Sequence, residues 1–309
     1  MLVPVILVGG SGSRLAPIST PQQPKPFIDL LNTGESLFQT TLKRAQATSN
    51  VQPIIVGATE HSDLIKAQLE TLKVDAHIIL EPCARNTAPA VIAATLLAQT
   101  LHGNHATLLV MPADHFIGDQ TYFVDCIHRS EPLALDQKLV IFGITPSTPN
   151  THYGYIHHTA SGEFKGFKEK PDLSTATHYI ATQRYLWNSG FFLANVRHLL
   201  EELEQHTQEC LACVQQALPS AASNGVYKLT EAYASAMNLS IDYALLERSQ
   251  NIHLVKYDNV WSDLGTWPAL YEHWPKEGNT AYHSGLSLRL TQNAHTLSLW
   301  HQQQWLADV

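Results

Sequence analysis

The sequence predicts an α/β fold built on a mainly parallel sheet with helices on both faces. Two observations carry that prediction. Short apolar runs recur at 5–8, 54–56, 77–80, 108–111, 139–142 and 252–255, each of strand length and bounded by turn residues. Helix-length stretches at 36–46, 62–72 and 89–101 separate several of them, and such alternation is the pattern of parallel strands joined by crossover helices. Ligands in sheets of this kind bind beyond the carboxyl ends of the strands, so the residues just after each run are the ones to read for chemistry.

The first run empties into Gly9, Gly10 and Gly12, with Ser11 and Ser13 between and beyond them. A glycine-rich turn after a strand lets backbone N–H groups approach a phosphate without obstruction from Cβ. Two cations follow, Arg14 and Lys25, on a path stiffened by Pro17, Pro21, Pro24 and Pro26. Two familiar phosphate motifs fail here. A P-loop needs Gly-Lys-Ser/Thr, which is absent, and a dinucleotide fingerprint needs Gly or Ala where Leu15 stands. An ordinary strand-turn with surface cations is the alternative to a phosphate site here.

After the third run comes Glu81-Pro-Cys-Ala-Arg85-Asn86-Thr87-Ala-Pro89. Thr87 suits the N-cap of the next helix and Pro89 its first turn. Capping leaves Arg85-Asn86 unexplained, whereas a helix N-terminus preceded by those residues can also receive the polar edge or phosphates of a nucleotide. Asp114, in Pro-Ala-Asp-His after the fourth run, either caps the next element or holds a metal. Magnesium favours one or two carboxylates plus substrate phosphates, which a single acid at the mouth of the sheet can supply. Thr151-His-Tyr-Gly154-Tyr reads as a hairpin turn or as a glycine opening for a sugar ring. Glu169-Lys170-Pro171 reads as solvated surface on its own, and Asn188 in Trp-Asn-Ser-Gly as a turn residue. Ser240-Ile-Asp242 opens a helix, with Ser240 as cap and Asp242 complementing the dipole. Asp263 is a second isolated acid, beside Gly265.

Taken in order, Gly-Gly-x-Gly-x-Arg-Leu-x-Pro with Pro-Lys-Pro-Phe, Glu-Pro-x-x-Arg-Asn-Thr-Ala-Pro, Pro-Ala-Asp-His, Tyr-Gly-Tyr-Ile, Glu-Lys-Pro, Trp-Asn-Ser-Gly and Trp-Ser-Asp-x-Gly resemble the sugar-1-phosphate nucleotidyltransferases. Within them, the chain is most similar to the mannose-1-phosphate guanylyltransferase group. The resemblance covers roughly residues 3–275. It implies a Rossmann-like, GT-A-like fold and transfer of GMP from GTP to mannose-1-phosphate. It implies nucleotide contacts at Gly9, Gly10, Gly12, Ser13, Arg85, Asn86 and Thr87, and sugar contacts at Gly154, Glu169, Asn188 and Asp242. Arg14, Lys25 and Lys170 become the catalytic cations, and Asp114 and Asp263 the ligands of Mg²⁺. Two departures stand out: Ala16 where the family has Trp, and Pro26 where it has Gln. A nucleotidyltransferase for another nucleotide or hexose phosphate, and a silent sugar-nucleotide-binding paralogue, remain as alternatives.

Composition bounds the rest. The chain has 309 residues, 44% hydrophobic and 15% charged, with a net charge of −8 when His is neutral. That length suits a catalytic domain over 1–275 and a short β-rich tail over 276–309, expected to be a β-helix-like remnant. The negative balance argues against non-specific nucleic-acid binding. No run approaches the roughly 20 apolar residues of a membrane helix, and the start lacks the basic region of a signal peptide, so a cytoplasmic protein with no membrane partner is expected. The isomerase domain that many relatives carry is expected to be missing, because the chain ends at Val309. A homodimer is a further expectation. Cys210-x-x-Cys213 lies in a helical pattern without a second pair, which reads as helix packing rather than a zinc site.

Overall fold

Seventeen strands and seven α-helices are assigned in the structure, a computed structural model describing residues 1–10, 12–290, 296–301 and 304–309; Ser11 of the glycine turn falls outside them. The first half runs β1 (Leu2–Val8), α1 (Leu37–Thr48), β2 (Ile54–Ala58), α2 (Ser62–Leu72), β3 (His77–Glu81), α3 (Thr87–His102), β4 (Thr107–Pro112), β5 (Phe116–Ile117), α4 (Gln120–Leu135) and β6 (Leu139–Ile144). The second half runs β7 (Tyr155–His158), β8 (Phe164–Lys168), α5 (Leu173–Thr182), β9 (Tyr185–Asn195), α6 (Val196–Ala217), β10 (Val226–Lys228), β11 (Ile252–Lys256), β12 (Trp261–Ser262) and α7 (Trp267–His273). The tail holds β13 (Lys276–Glu277), β14 (Thr280–His283), β15 (Leu286–Leu290), β16 (Leu297–His301) and β17 (Gln304–Asp308).

The main sheet has the order β10-β3-β2-β1-β4-β9-β6-β11. Its pairs are parallel except at β9, which runs antiparallel to both β4 and β6. Strand β1 is central and covered on both faces, which is why Leu2–Val8 is an almost unbroken apolar run. Its side chains alternate between two cores. Val3 and Val5 join α3 and α6 on one face, while Ile6 and Val8 join α1, α2 and α4 on the other. Helix α3 has eleven buried residues, as its apolar circumference requires.

The expected runs are all strands, extended by up to three residues at either end. Helix α1 begins with a capping box between Ser36 and Gln39. Helix α3 departs from expectation at its start. Asn86, not Thr87, is its N-cap, accepting the Thr87 N–H at 2.9 Å. Thr87 lies one residue inside, and its hydroxyl is taken by the Ile241 N–H at 2.8 Å.

The tail packs on the body through a third core. Leu15, Ile28, Leu30 and Leu37 meet Trp267, Leu270 and Trp274, together with Ala281, Leu288, Leu297 and Leu299. Strands β13 to β17 pair antiparallel in sequence order, so the tail is a meander, where the coils of a β-helix stack their strands in parallel. The segment that carries Lys25 is therefore backed by α7 and by the meander.

Candidate active site

The carboxyl ends of β1 and β4 bring the opening turn beside Asp114. Gly10 and Gly12 have φ of +90° and +62°, backbone that glycine adopts without steric cost. A Cβ at Gly12 would lie 2.6 Å from Lys25 Cβ and 2.7 Å from Ser19 Oγ, so the turn packs directly on the lysine. Lys25 sits in a short 3₁₀ turn, Lys25–Phe27, with Pro26 buried beside it. Its side chain is only 6% exposed. The ammonium donates to Asp114 Oδ2 at 2.8 Å and to the Asp263 backbone carbonyl.

Burial opposes ionisation of Asp114, but Lys25 and His115 outweigh it and hold the carboxyl below its ordinary range. His115 Nε2 is 3.9 Å from Asp114 Oδ1, and its Nδ1 contacts the Ser189 carbonyl at 3.1 Å. Burial pushes the His115 imidazole down. On the facing loop, Asp263 Oδ1 accepts from the Gly265 N–H at 2.9 Å and from the Tyr153 hydroxyl at 2.8 Å. Burial and the neighbouring Asp263 push the Tyr153 phenol upward, so it remains a donor.

A second cluster adjoins the first. The Asn188 N–H donates to the Gly154 carbonyl at 2.8 Å, and its side-chain amide donates to Asp242 Oδ1 at 2.9 Å. A Cβ on Gly154 would lie 2.4 Å from the Phe167 ring and 2.7 Å from Glu169 Oε2, so the glycine packs directly on both. Asp242 is pushed up to about 7 by burial and then by the Glu169 carboxylate. Glu169 pairs with Lys170 at 2.7 Å, and the lysine end is 60% exposed. Asn188, Gly190 and Asp242 line a cavity of about 140 Å³ with Thr87 and Pro112. Thr87 and Asn188 are tied through consecutive residues, Ile241 and Asp242.

The nucleotidyl transferase family model matches residues 3–279. The chain belongs to the nucleotidyl transferase family. A mannose-1-phosphate guanylyltransferase of Escherichia coli is 39% identical over 298 residues, covering 92% of this chain and 62% of that protein. A protein of the same name from Klebsiella pneumoniae is 39% identical over 90% of this chain and 61% of its own. This chain thus spans about three fifths of the length of the curated relatives it matches. A crystal structure described as mannose-1-phosphate geranyltransferase from Thermus thermophilus aligns with a TM-score of 0.77 at 28% identity. The alignment covers 90% of this chain and 80% of that one. A Helicobacter pylori structure described as mannose-6-phosphate isomerase aligns at 0.74 and 28%, over 84% and 99%.

Within this nucleotidyl transferase, the Lys25 ammonium joins the Asp114 carboxylate to the Asp263 backbone carbonyl, and Gly154, Glu169, Asn188 and Asp242 form the adjoining group. Other expected residues stand apart. Arg14 is exposed and lines an outer groove of about 440 Å³ with Asn150, Thr151 and His152. Ser13 and Gly9 are exposed, and Lys170 reaches outward. Arg85 donates through Nε to the Ala234 carbonyl at 3.0 Å, so it pins its loop to the 3₁₀ turn Glu231–Ser235. Ser240 Oγ accepts the Tyr243 N–H at 3.3 Å, at the mouth of a π-turn over Asp242–Leu246. Cys210 is buried on α6, and Cys213 Sγ donates to the Ala232 carbonyl.

The donor set suits a hard divalent cation. Lys25 holds the Asp114 carboxylate and the Asp263 backbone carbonyl, and no hydrogen bond reaches Asp263 Oδ2 among the described residues. Those residues contain no group of three or more His, Cys, Asp and Glu side chains able to hold a metal. A cation here would rest on two carboxylates and on substrate oxygens, the coordination magnesium tolerates. Tyr153 and His115 belong to the site and were not singled out from sequence. The aromatic before Gly154 and the histidine after Asp114 were their signals. A cavity of about 530 Å³ beside His158, Tyr185 and Lys256 holds none of the expected site residues. No helix among the described residues is long and apolar enough to cross a membrane.

Proposed function

We propose that this nucleotidyl transferase moves GMP from GTP to mannose-1-phosphate, giving GDP-mannose and pyrophosphate. The convergence of Lys25, Asp114 and Asp263 from three distant parts of the chain carries this reading. Two relatives that bear the guanylyltransferase name support the choice of substrates, and relatives described as xanthan biosynthesis proteins support a role in polysaccharide precursor supply.

The nucleophile is a phosphate oxygen of mannose-1-phosphate, already ionised near neutral pH, so no general base is needed. The protein's task is to align two polyanions and offset charge at the reacting phosphorus. Gly9, Gly10, Gly12 and Ser13 offer backbone N–H groups to the GTP phosphates. Arg14, free to swing from its groove, holds the departing pyrophosphate. Lys25 steadies the α-phosphate and Lys170 the sugar phosphate. Arg85, Asn86 and Thr87 shape the side that receives the nucleoside. Gly154, Glu169, Asn188 and Asp242 receive the sugar. Asp114 and Asp263 would hold Mg²⁺, which supplies electrostatic neutralisation between the two substrates' phosphates. Residues 1–275 form the catalytic unit and 276–309 the tail that braces Lys25.

Pyrophosphate release with mannose-1-phosphate, Mg²⁺ and GTP, ATP, UTP or dTTP tests the assignment. Strong GTP preference is expected. Equal or greater release with another nucleotide would sink the guanine assignment.

A further inference from the structure

The reading of Asp263 as a cation ligand raises the question of what aims its carboxylate. An aspartate on a loop rotates about χ2 and presents either oxygen unless something fixes it. Asp263 follows the two-residue strand β12 and precedes Leu264, whose φ is +45°. Its backbone carbonyl is held by Lys25. Its Oδ1 takes two hydrogen bonds, from the Gly265 N–H at 2.9 Å and the Tyr153 hydroxyl at 2.8 Å. Two donors on one oxygen set the rotation and leave Oδ2, which packs so close to Gly265 that an added Cβ there would lie 2.4 Å from it, as the oxygen without a hydrogen bond among the described residues.

Tyr153 is itself held in place. Its ring packs edge-on against Trp187 at 5.0 Å and 75°, and against Trp261 at 5.3 Å and 69°. Trp261 also meets His115 edge-on at 5.3 Å, beside Asp114. The next residue, Gly154, is bonded to Asn188. A phenol clamped on two sides loses little further freedom when it donates, so its hydroxyl is a fixed point. Groups that hydrogen-bond a metal-ligating carboxylate set its orientation and strength.

We infer that Tyr153 is a positioning residue for the catalytic cation, fixing the rotation of the Asp263 carboxylate through Oδ1 and leaving Oδ2 as its free ligand atom. The inference rests on the proposed cation role of Asp263, which the test examines separately.

The probe is Mn²⁺, alone and in the presence of GDP-mannose, titrated into wild type, Tyr153→Phe and Asp263→Asn and followed by the electron paramagnetic resonance signal of the free ion. Tyr153→Phe keeps the ring between the two tryptophans and removes only the hydroxyl. It is expected to weaken Mn²⁺ binding about 10–100-fold, and to raise the Mg²⁺ concentration for half-maximal turnover by a similar factor. Asp263→Asn is expected to lose the site. If Asp263→Asn loses Mn²⁺ while Tyr153→Phe binds within twofold of wild type, the positioning role is wrong. If wild type binds no Mn²⁺ either alone or in the presence of GDP-mannose, or Asp263→Asn binds it as wild type does, the cation reading fails and this inference with it.

Discussion

The Lys25 ammonium lies 2.8 Å from Asp114 Oδ2 and also donates to the Asp263 carbonyl, joining residues that are 89 and 238 positions away along the chain. One buried cation thus organises both acids of the site. It neutralises Asp114 in the free protein.

Replacing Lys25 by Met should lower turnover about 10²–10³-fold, the usual cost of losing one electrostatic donor at a reacting centre. The same change bears on acid stability. Asp114 has a depressed folded pKa, so its contribution is present above the unfolded carboxylate pKa and is lost as pH falls through the lower folded value. Without Lys25 that depression shrinks, and acid unfolding followed by circular dichroism should begin at a higher pH than in wild type. An unchanged acid limb would show that the pair does not tune Asp114.

Gly12→Ala should destabilise the protein by about 1–3 kcal/mol in urea unfolding, because its φ of +62° and the 2.6 Å approach to Lys25 Cβ both oppose a methyl group. Gly9, which has nothing within 4 Å of an added Cβ, should accept alanine with little loss of stability.

Asp242 gives a pH dependence of opposite sign. Its folded pKa is pushed up to about 7, so the unfolded chain releases this proton first. Stability should fall as pH rises from the unfolded carboxylate pKa to about 7 and level off above. Asp242→Asn removes the titrating group and should flatten that slope, a difference on the order of 2 kcal/mol between pH 4 and 7. Parallel denaturation curves for wild type and variant across this range would refute it.

Thr87→Val keeps the shape of the α3 start but leaves the Ile241 N–H without its acceptor. We expect a loss of about 1–2 kcal/mol. A weaker sugar affinity should follow, because Ile241 is joined to the Asp242 that holds Asn188. Unchanged stability and affinity would show that this tie carries no weight.

Much of this arrangement was legible in the sequence, and for identifiable reasons. The parallel sheet follows from apolar runs separated by helical stretches, since strands buried on both faces need no polar alternation. Gly12 was legible because glycine marks a turn, yet its closeness to Lys25 is a tertiary fact. The antiparallel insertion of β9 was not legible, because burial makes Tyr185–Asn195 look like any other strand. The cap on α3 is ambiguous in the sequence because Asn86 and Thr87 are both good caps, and the bond from Ile241, far along the chain, takes the Thr87 hydroxyl. Tyr153 is not legible in the sequence, because a tyrosine beside a glycine carries no period or charge to mark it. Its partner Asp263 is 110 positions away.

The most direct test of the account is pyrophosphate release from GTP and mannose-1-phosphate by wild type and Asp114→Ala at saturating Mg²⁺, with EDTA as a control. We predict turnover by wild type that EDTA abolishes, and a loss of about 10²–10³-fold in the variant. Near-wild-type turnover by Asp114→Ala would contradict the central role given to the Lys25–Asp114–Asp263 cluster.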